Sequence, residues 1–372
     1  VGDDHAASRA AELGLDVVAV AATYHGARVA CPLHPSRRVI DVTGSACYLP
    51  VRESAWRGHR LRPSPPAWLG EDDAFGLARS RLADVGLDVD AWVVLTHNDS
   101  LGLEHPDLVV RNAFDDPYTY ALCPASQDVR DFCVTLVEEI VRAGEPRGVV
   151  LEACGPMGID HSGLHEKTEL AQWTAIDRQL LALCFCDSCA HRYEDAGIDV
   201  DELAARVREG IGAGAASVDE ALGTALARLV GSLRLDLASS LIRECVERIR
   251  AVRPETRVTL HASGEKWATG SFCAVTEPQA LEGIDAAVAF GWDATSVDDS
   301  LRSLGLVAGE DRDLGVYLRL DRDWSTSTVE ARVSTLRAAG VNELHLYHLG
   351  LWPRASWEIA AEIVRAAREE RR

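Results

Sequence analysis

Residues 126–152 read SQDVRDFCVTLVEEIVRAGEPRGVVLE, a helix pattern running directly into a strand pattern. The first part carries Val129, Phe132, Cys133, Leu136, Val137, Ile140 and Val141 at the spacing of one helical face. Ser126 offers an N-cap and Gly144 a stop. Close behind comes GVVL at 148–151, an apolar run too short for a helix and typical of a strand buried on both faces. A helix that feeds straight into a buried strand is half of a βαβ crossover, the connection that parallel strands require.

The same rhythm extends both ways. Candidate strands lie at 16–22, 39–42, 91–96 (AWVVLT), 148–151, 257–260, 286–290, 315–320 and 343–347. Helical spacing recurs over 72–85, with Phe75, Ala78, Leu82 and Val85 ahead of Gly86. It returns at Val329, Val333 and Leu336 ahead of Gly340, and in a last helix over about 356–369. Eight strands with helical crossovers predict an α/β fold, a (β/α)8 TIM barrel. A doubly wound sheet is the competitor, but no strand is followed by GxGxxG or a phosphate loop. Residues 154–255 interrupt the alternation with the Cys-rich CFCDSC (184–189) and long Ala/Leu/Arg-rich helical sequence. A Gly/Ala run at 210–216 reads as a loop between helices. The expectation is one barrel domain over 1–372 with an insertion at 154–255 after the fourth strand.

Composition narrows the function. Of 372 residues, 47 % are hydrophobic, enough for a large core and too many for disorder. A net charge of −20 argues against nucleic acid, whose phosphates need clustered positive charge. No apolar run approaches a membrane span. No basic stretch followed by an apolar one marks a secretory leader, so a cytoplasmic location and reduced thiols are expected. Ten Cys in a chain this long do not form a small disulfide scaffold.

Barrel chemistry sits at the C-terminal ends of the strands. Those ends carry Tyr24 and His25, His97 and Asn98, Glu152, His261, Trp292 and Asp293, Arg319 and Asp321, and Tyr347 and His348. Aromatic faces with charged and imidazole groups suit a polyhydroxylated ligand, so a small carbohydrate or glycoside is the expected partner. Glu152 follows an apolar run, which predicts a raised pKa and a general-acid role. The segment Asp160–Lys167 adds His161, His165 and Glu166, whose spacing suits substrate contact at the rim, or a metal.

Cys184, Cys186 and Cys189 form C-x-C-x2-C, close enough for three thiolates to share one tetrahedral ion, most commonly structural Zn²⁺. The fourth ligand is distant in sequence. Cys123 and Cys154 fall near the predicted rim, whereas Cys133 and Cys245 fall on helical stretches and read as core.

Taken in order, CPAS at 123–126, a helix, a strand ending in Glu152 and then C-x-C-x2-C resemble the catalytic barrel of family 42 β-galactosidases. The resemblance covers roughly residues 90–195. It implies that Cys123 joins Cys184, Cys186 and Cys189 on zinc and that Glu152 is the acid/base. Arg130 and Tyr193 fit the same pattern. The chain departs from it at Leu151, where the family has Asn, and in GVYLRLDRDW (315–324), which lacks the family's nucleophilic Glu. Asp321 is the candidate replacement, with Asp293 and Glu166 as other partners for Glu152. The resemblance thus implies a glycosidase-like enzyme, and a homo-oligomer is compatible with it, since zinc-bearing barrels of this kind often associate. The competing readings are a metal-dependent sugar lyase or isomerase using the rim histidines, and a carbohydrate-binding barrel without catalysis.

Overall fold

The computed structural model describes residues 2–159, 167–292, 297–320 and 324–369. Seven parallel strands form its centre: β1 (Val17–Tyr24), β2 (Asp88–Val94), β3 (Gly148–Glu152), β4 (Arg257–Ser263), β5 (Ala286–Phe290), β6 (Asp313–Arg319) and β7 (Glu343–Tyr347). They lie side by side in chain order. The crossovers are α1 (Ala74–Ala83), α2 (Gln127–Gly144), α3 (Thr224–Val252), α4 (Val297–Ala308) and α5 (Thr326–Ala338); α6 (Arg354–Glu369) follows β7. Between β4 and β5 runs only the short strand Cys273–Ala274, paired to β4, and the 3₁₀ turn Pro278–Leu281.

The expected eighth strand is the correction. Val39–Val42 is extended, but it pairs antiparallel with Ala27–Ala30 in a separate hairpin. No helix separates it from β1, and a parallel neighbour needs such a crossover, so only a hairpin partner is within reach. Glu152 therefore closes the third strand of the sheet rather than the fourth, and the Cys-rich stretch follows that third strand.

The sheet curls without closing. Among the described residues no backbone ladder joins β1 to β7. The upper edge of β1 is taken instead by Ala46–Cys47, antiparallel to Thr23 and Tyr24. Even so, Tyr24 Oη and Tyr347 Oη stand 3.4 Å apart, so the C-terminal ends of the first and last strands meet.

Strand alternation divides the interior in two. Val89, Ala91, Val93, Val149, Leu151, Leu260, Ala287 and Val316 face the helices and pack with the α2 stripe (Phe132, Leu136, Val137, Ile140) and with Leu241, Ile242 and Ile249 of α3. Trp92, Val94, Val150, Val288 and Tyr317 face the lumen and join the core of the Cys-rich segment. At the N-terminal end the lumen is floored by ion pairs. Arg147 grips Asp90 through two hydrogen bonds, and Arg257 reaches both Asp313 and Glu343.

A second hairpin, Val109–Arg111 with Pro117–Leu122, stands over the rim. The short helix Asp99–Glu104 crosses it so closely that a Cβ on Gly102 would run into the carbonyl oxygen of Thr119. Gly102→Ala is therefore expected to cost about 1–3 kcal/mol by overpacking. Urea unfolding, with a lower midpoint and an unchanged slope, checks it.

Candidate active site

Glu152 is the last residue of β3, and the alternation Val150, Glu152 turns its side chain into the lumen, where it is buried. Trp92 Nε1, from the neighbouring strand, donates to Glu152 Oε2 at 2.7 Å. His261 Nδ1, from the strand on the other side, stands 3.5 Å from the same oxygen. Burial alone would push the Glu152 pKa up. The His261 hydrogen bond, the charges of His261 and His25 and a hydrogen bond from Ser271 outweigh it, and the net shift is downward. The expected raised pKa is thus corrected. The apolar neighbours visible in sequence, Val149 and Leu151, point toward the helices, whereas the groups that meet the carboxylate inside are N–H donors. The same approach acts on His261, where burial lowers the pKa and Glu152 opposes that shift.

Above the carboxylate lies a shell of rings. Trp92 meets Tyr24, Tyr317, Tyr347 and His348 with centroids 5.4–6.1 Å apart. Trp292 stacks on Tyr347 at 5.2 Å and on Tyr317 at 6.0 Å, and the Arg319 guanidinium lies 4.8 Å from the Trp292 ring. Phe272 stacks on His261 at 4.7 Å. Burial, with the nearby Glu152 charge, raises the pKa of Tyr24, Tyr317 and Tyr347, so all three present neutral hydroxyls. His25 stacks on His97 at 4.1 Å, and His97 meets Tyr120 of the rim hairpin at 5.9 Å.

The residues expected at the rim thus divide. Tyr24, Glu152, His261, Trp292, Arg319, Tyr347 and His348 converge on one end of the lumen, with His25 and His97 beside Tyr24. Asn98 has a local role, because its Oδ1 accepts from Leu101 N at 2.9 Å and caps the short helix. His161, His165, Glu166, Asp293 and Asp321 lie outside the described residues. Trp92, Tyr317, Phe272 and Tyr120 also belong to the shell, although none of them sits at the end of a strand. For two of them the signal in the sequence is period two: Trp92 alternates with Val94, and Tyr317 with Arg319.

The cysteine segment forms the second feature. Cys123 precedes α2, and Cys184, Cys186 and Cys189 bracket the start of helix Asp187–Asp195; all four are buried. Their sulfurs lie within 4.8 Å of one another, with Cys123–Cys189 at 3.5 Å and Cys123–Cys184 at 3.7 Å. A tetrahedron with Zn–S near 2.3 Å sets its sulfurs about 3.8 Å apart, so this donor set fits a metal ion of that kind. Hydrogen bonds from the other three thiols lower the Cys186 pKa, while Cys184 and Cys186 push Cys123 upward. Arg234, buried beside them and donating to Ala182 O at 2.9 Å, supplies a positive charge next to the sulfurs. Among the described residues this is the one group of His, Cys, Asp and Glu so arranged.

No protein-family model matches the chain, and no curated protein does. Solved structures do match in fold. An α-L-fucosidase isoenzyme 2 from Paenibacillus thiaminolyticus superposes with a TM-score of 0.59 at 13 % identity, over 99 % of this chain and 46 % of that one. The PgaB (BpsB) glycoside hydrolase domain from Bordetella bronchiseptica gives 0.60 at 13 % identity, over 96 % and 91 %. A β-galactosidase from the psychrophilic Marinomonas ef1 gives 0.56 at 12 % identity, over 97 % and 56 %. The chain spans about half the length of the fucosidase and the galactosidase. The fold is therefore that of glycoside hydrolase barrels, in a form not specific to family 42.

His348, linked to Tyr347 by a cis peptide, supplies a pH handle. Burial lowers its pKa from 6.5 to about 4. A group kept neutral in the folded state loses stability as pH falls below its unfolded value, 6.5, until the folded value, about 4, is reached. From pH 7 to pH 5 this loss is about 2 kcal/mol, and His348→Gln is expected to remove it. Urea titrations of both proteins at the two pH values measure the difference.

Proposed function

We propose that the chain is a glycoside-hydrolase-like enzyme that cleaves a glycosidic bond of a small carbohydrate, with Glu152 as its central acid/base carboxylate. One observation carries the reading: a buried carboxylate, bonded by Trp92 and flanked by His261 at 3.5 Å, at the end of the sheet where this fold carries its chemistry. The flat faces of Trp292, Tyr317 and Tyr347 beside it suit the apolar face of a pyranose, and Arg319, Tyr24, His25 and His97 suit its hydroxyls. The sugars in the names of the structural neighbours, fucose and galactose, set the first glycosides to try.

The protonation state orders the steps. A carboxylate that starts ionised first opposes the positive charge growing on the anomeric carbon, or takes a proton from water; it donates only after gaining that proton. The leaving oxygen then needs its proton from a second carboxyl group. Asp321 is proposed for that place, with Asp293 and Glu166 as the other candidates. A separation of about 5–5.5 Å from Glu152 gives retention, and about 6.5–9.5 Å gives inversion. His161, His165, Tyr347, His348 and Asn98 complete the proposed substrate contacts. Among the described residues no helix is long and apolar enough to cross a membrane, and the net charge of −20 disfavours nucleic acid as a partner.

Glu152→Gln is expected to lower turnover of aryl glycosides about 10²–10⁴-fold while the protein stays folded. Full activity in that variant sinks the assignment. For the cysteine cluster we propose a structural Zn²⁺ that ties the segment after β3 to the rim loop holding Cys123. Elemental analysis should find one zinc per chain. Cys186→Ser should lose it and lower the melting temperature, whereas a metal-free wild type of equal stability refutes the proposal.

A further inference from the structure

A cavity of about 490 Å³ extends from beneath Trp92 and His261, the two side chains that meet Glu152. It lies lower in the lumen and opens sideways between β1 and β7, where the sheet fails to close. Ala19, in the middle of β1, is exposed there, although Asp90, its ladder partner on β2, is buried. Every residue of β7 is half-buried, whereas four of the five in β5 are buried. Among the described residues the facing edges of β1 over Val17–Ala21 and of β7 carry no backbone partner on this side. Backbone N–H and C=O groups in such a place demand hydrogen bonds. An occupant rich in donors and acceptors would satisfy them in place of water.

Its charge follows from the floor. Asp90 is held by Arg147, Asp313 and Glu343 by Arg257, and His345 Nε2 lies 3.1 Å from Glu343. Against burial, His345 and Arg257 bring the Glu343 pKa down to about 2, so Glu343 stays ionised near neutrality. An ionic ligand would have to compete with these pairs for its partners. The upper wall is aromatic, formed by Trp92, Tyr317 and Tyr347, and α6 closes the outer side with Ile363 and Val364. The volume falls in the range of small-molecule sites.

From this we infer that the slot between β1 and β7 is a second binding site, below the rim and sharing Trp92, His261, Tyr317 and Tyr347 with it, for a neutral hydroxylated ring of the size of a monosaccharide. Its hydroxyls meet the open strand edges and the paired floor, and its apolar face meets the aromatic wall. The site stands whether or not Glu152 is catalytic. Trp92 and His261 line this cavity and also hold the Glu152 carboxylate, so an occupant touches the far side of both donors.

Ligand-detected NMR with D-galactose, D-glucose, L-fucose and myo-inositol, each at millimolar concentration, tests the site and separates pyranose from cyclitol. The proteins are the wild type, Ala19→Phe and Val364→Phe, which fill the slot from β1 and from α6, and Arg319→Ala, which removes an exposed rim side chain that does not line the slot. Circular dichroism checks each for folding, and Val364→Phe alone decides if Ala19→Phe does not fold. The expected result is binding of at least one ring to the wild type and to Arg319→Ala, lost in the slot variants. No binding to the wild type overturns the inference. So does binding that survives the filled slot, or binding that disappears with Arg319.

Discussion

An ionised carboxylate in the middle of a barrel has to be met by donors, because burial without them drives the proton back on. Glu152 is met by Trp92 from one neighbouring strand and His261 from the other. This requirement sets the order of the surrounding layer. The indole that donates to Glu152 also presents its ring to Tyr24, Tyr317, Tyr347 and His348. Strands β1, β6 and β7 are thereby tied to one carboxylate through a single side chain, and the ring shell that faces the rim rests on that arrangement.

Two regions of the lumen follow, with different electrostatics. At the C-terminal end the Glu152 carboxylate accepts from Trp92 and lies beside His261. At the N-terminal end the carboxylates are paired with guanidinium groups, Asp90 with Arg147 and Asp313 and Glu343 with Arg257. The first suits a centre that must gain and lose a proton. The second suits a rigid floor. Between them the unclosed edge of β1 and β7 leaves room that a complete eight-stranded barrel would fill with side chains.

Much of this was legible in the sequence. The stripe on α2 and the apolar runs of β3 and β5 announced themselves by periodicity, since the helix-facing residues of a parallel sheet must be apolar. Cys184, Cys186 and Cys189 were legible as a group because three cysteines lie within six residues. Cys123 was harder, because its distance from them in sequence is closed only by the turn that leads into α2. Val39–Val42 shows the opposite failure: its local pattern was right, and its partner was wrong. A strand's propensity is local, but the edge it joins depends on the connections available to it.

Spacing along the chain was enough to mark most strands and helices, to put Glu152 at the end of a buried strand, and to group three thiols. Folding had to supply the rest: seven parallel strands that curl without closing, and a Glu152 held ionised rather than protonated. A pKa and a sheet edge both depend on what approaches from elsewhere in the chain. Trp92 lies 60 residues before Glu152, and β7 lies more than 300 after β1. Neither distance carries any sign of contact until the chain is folded.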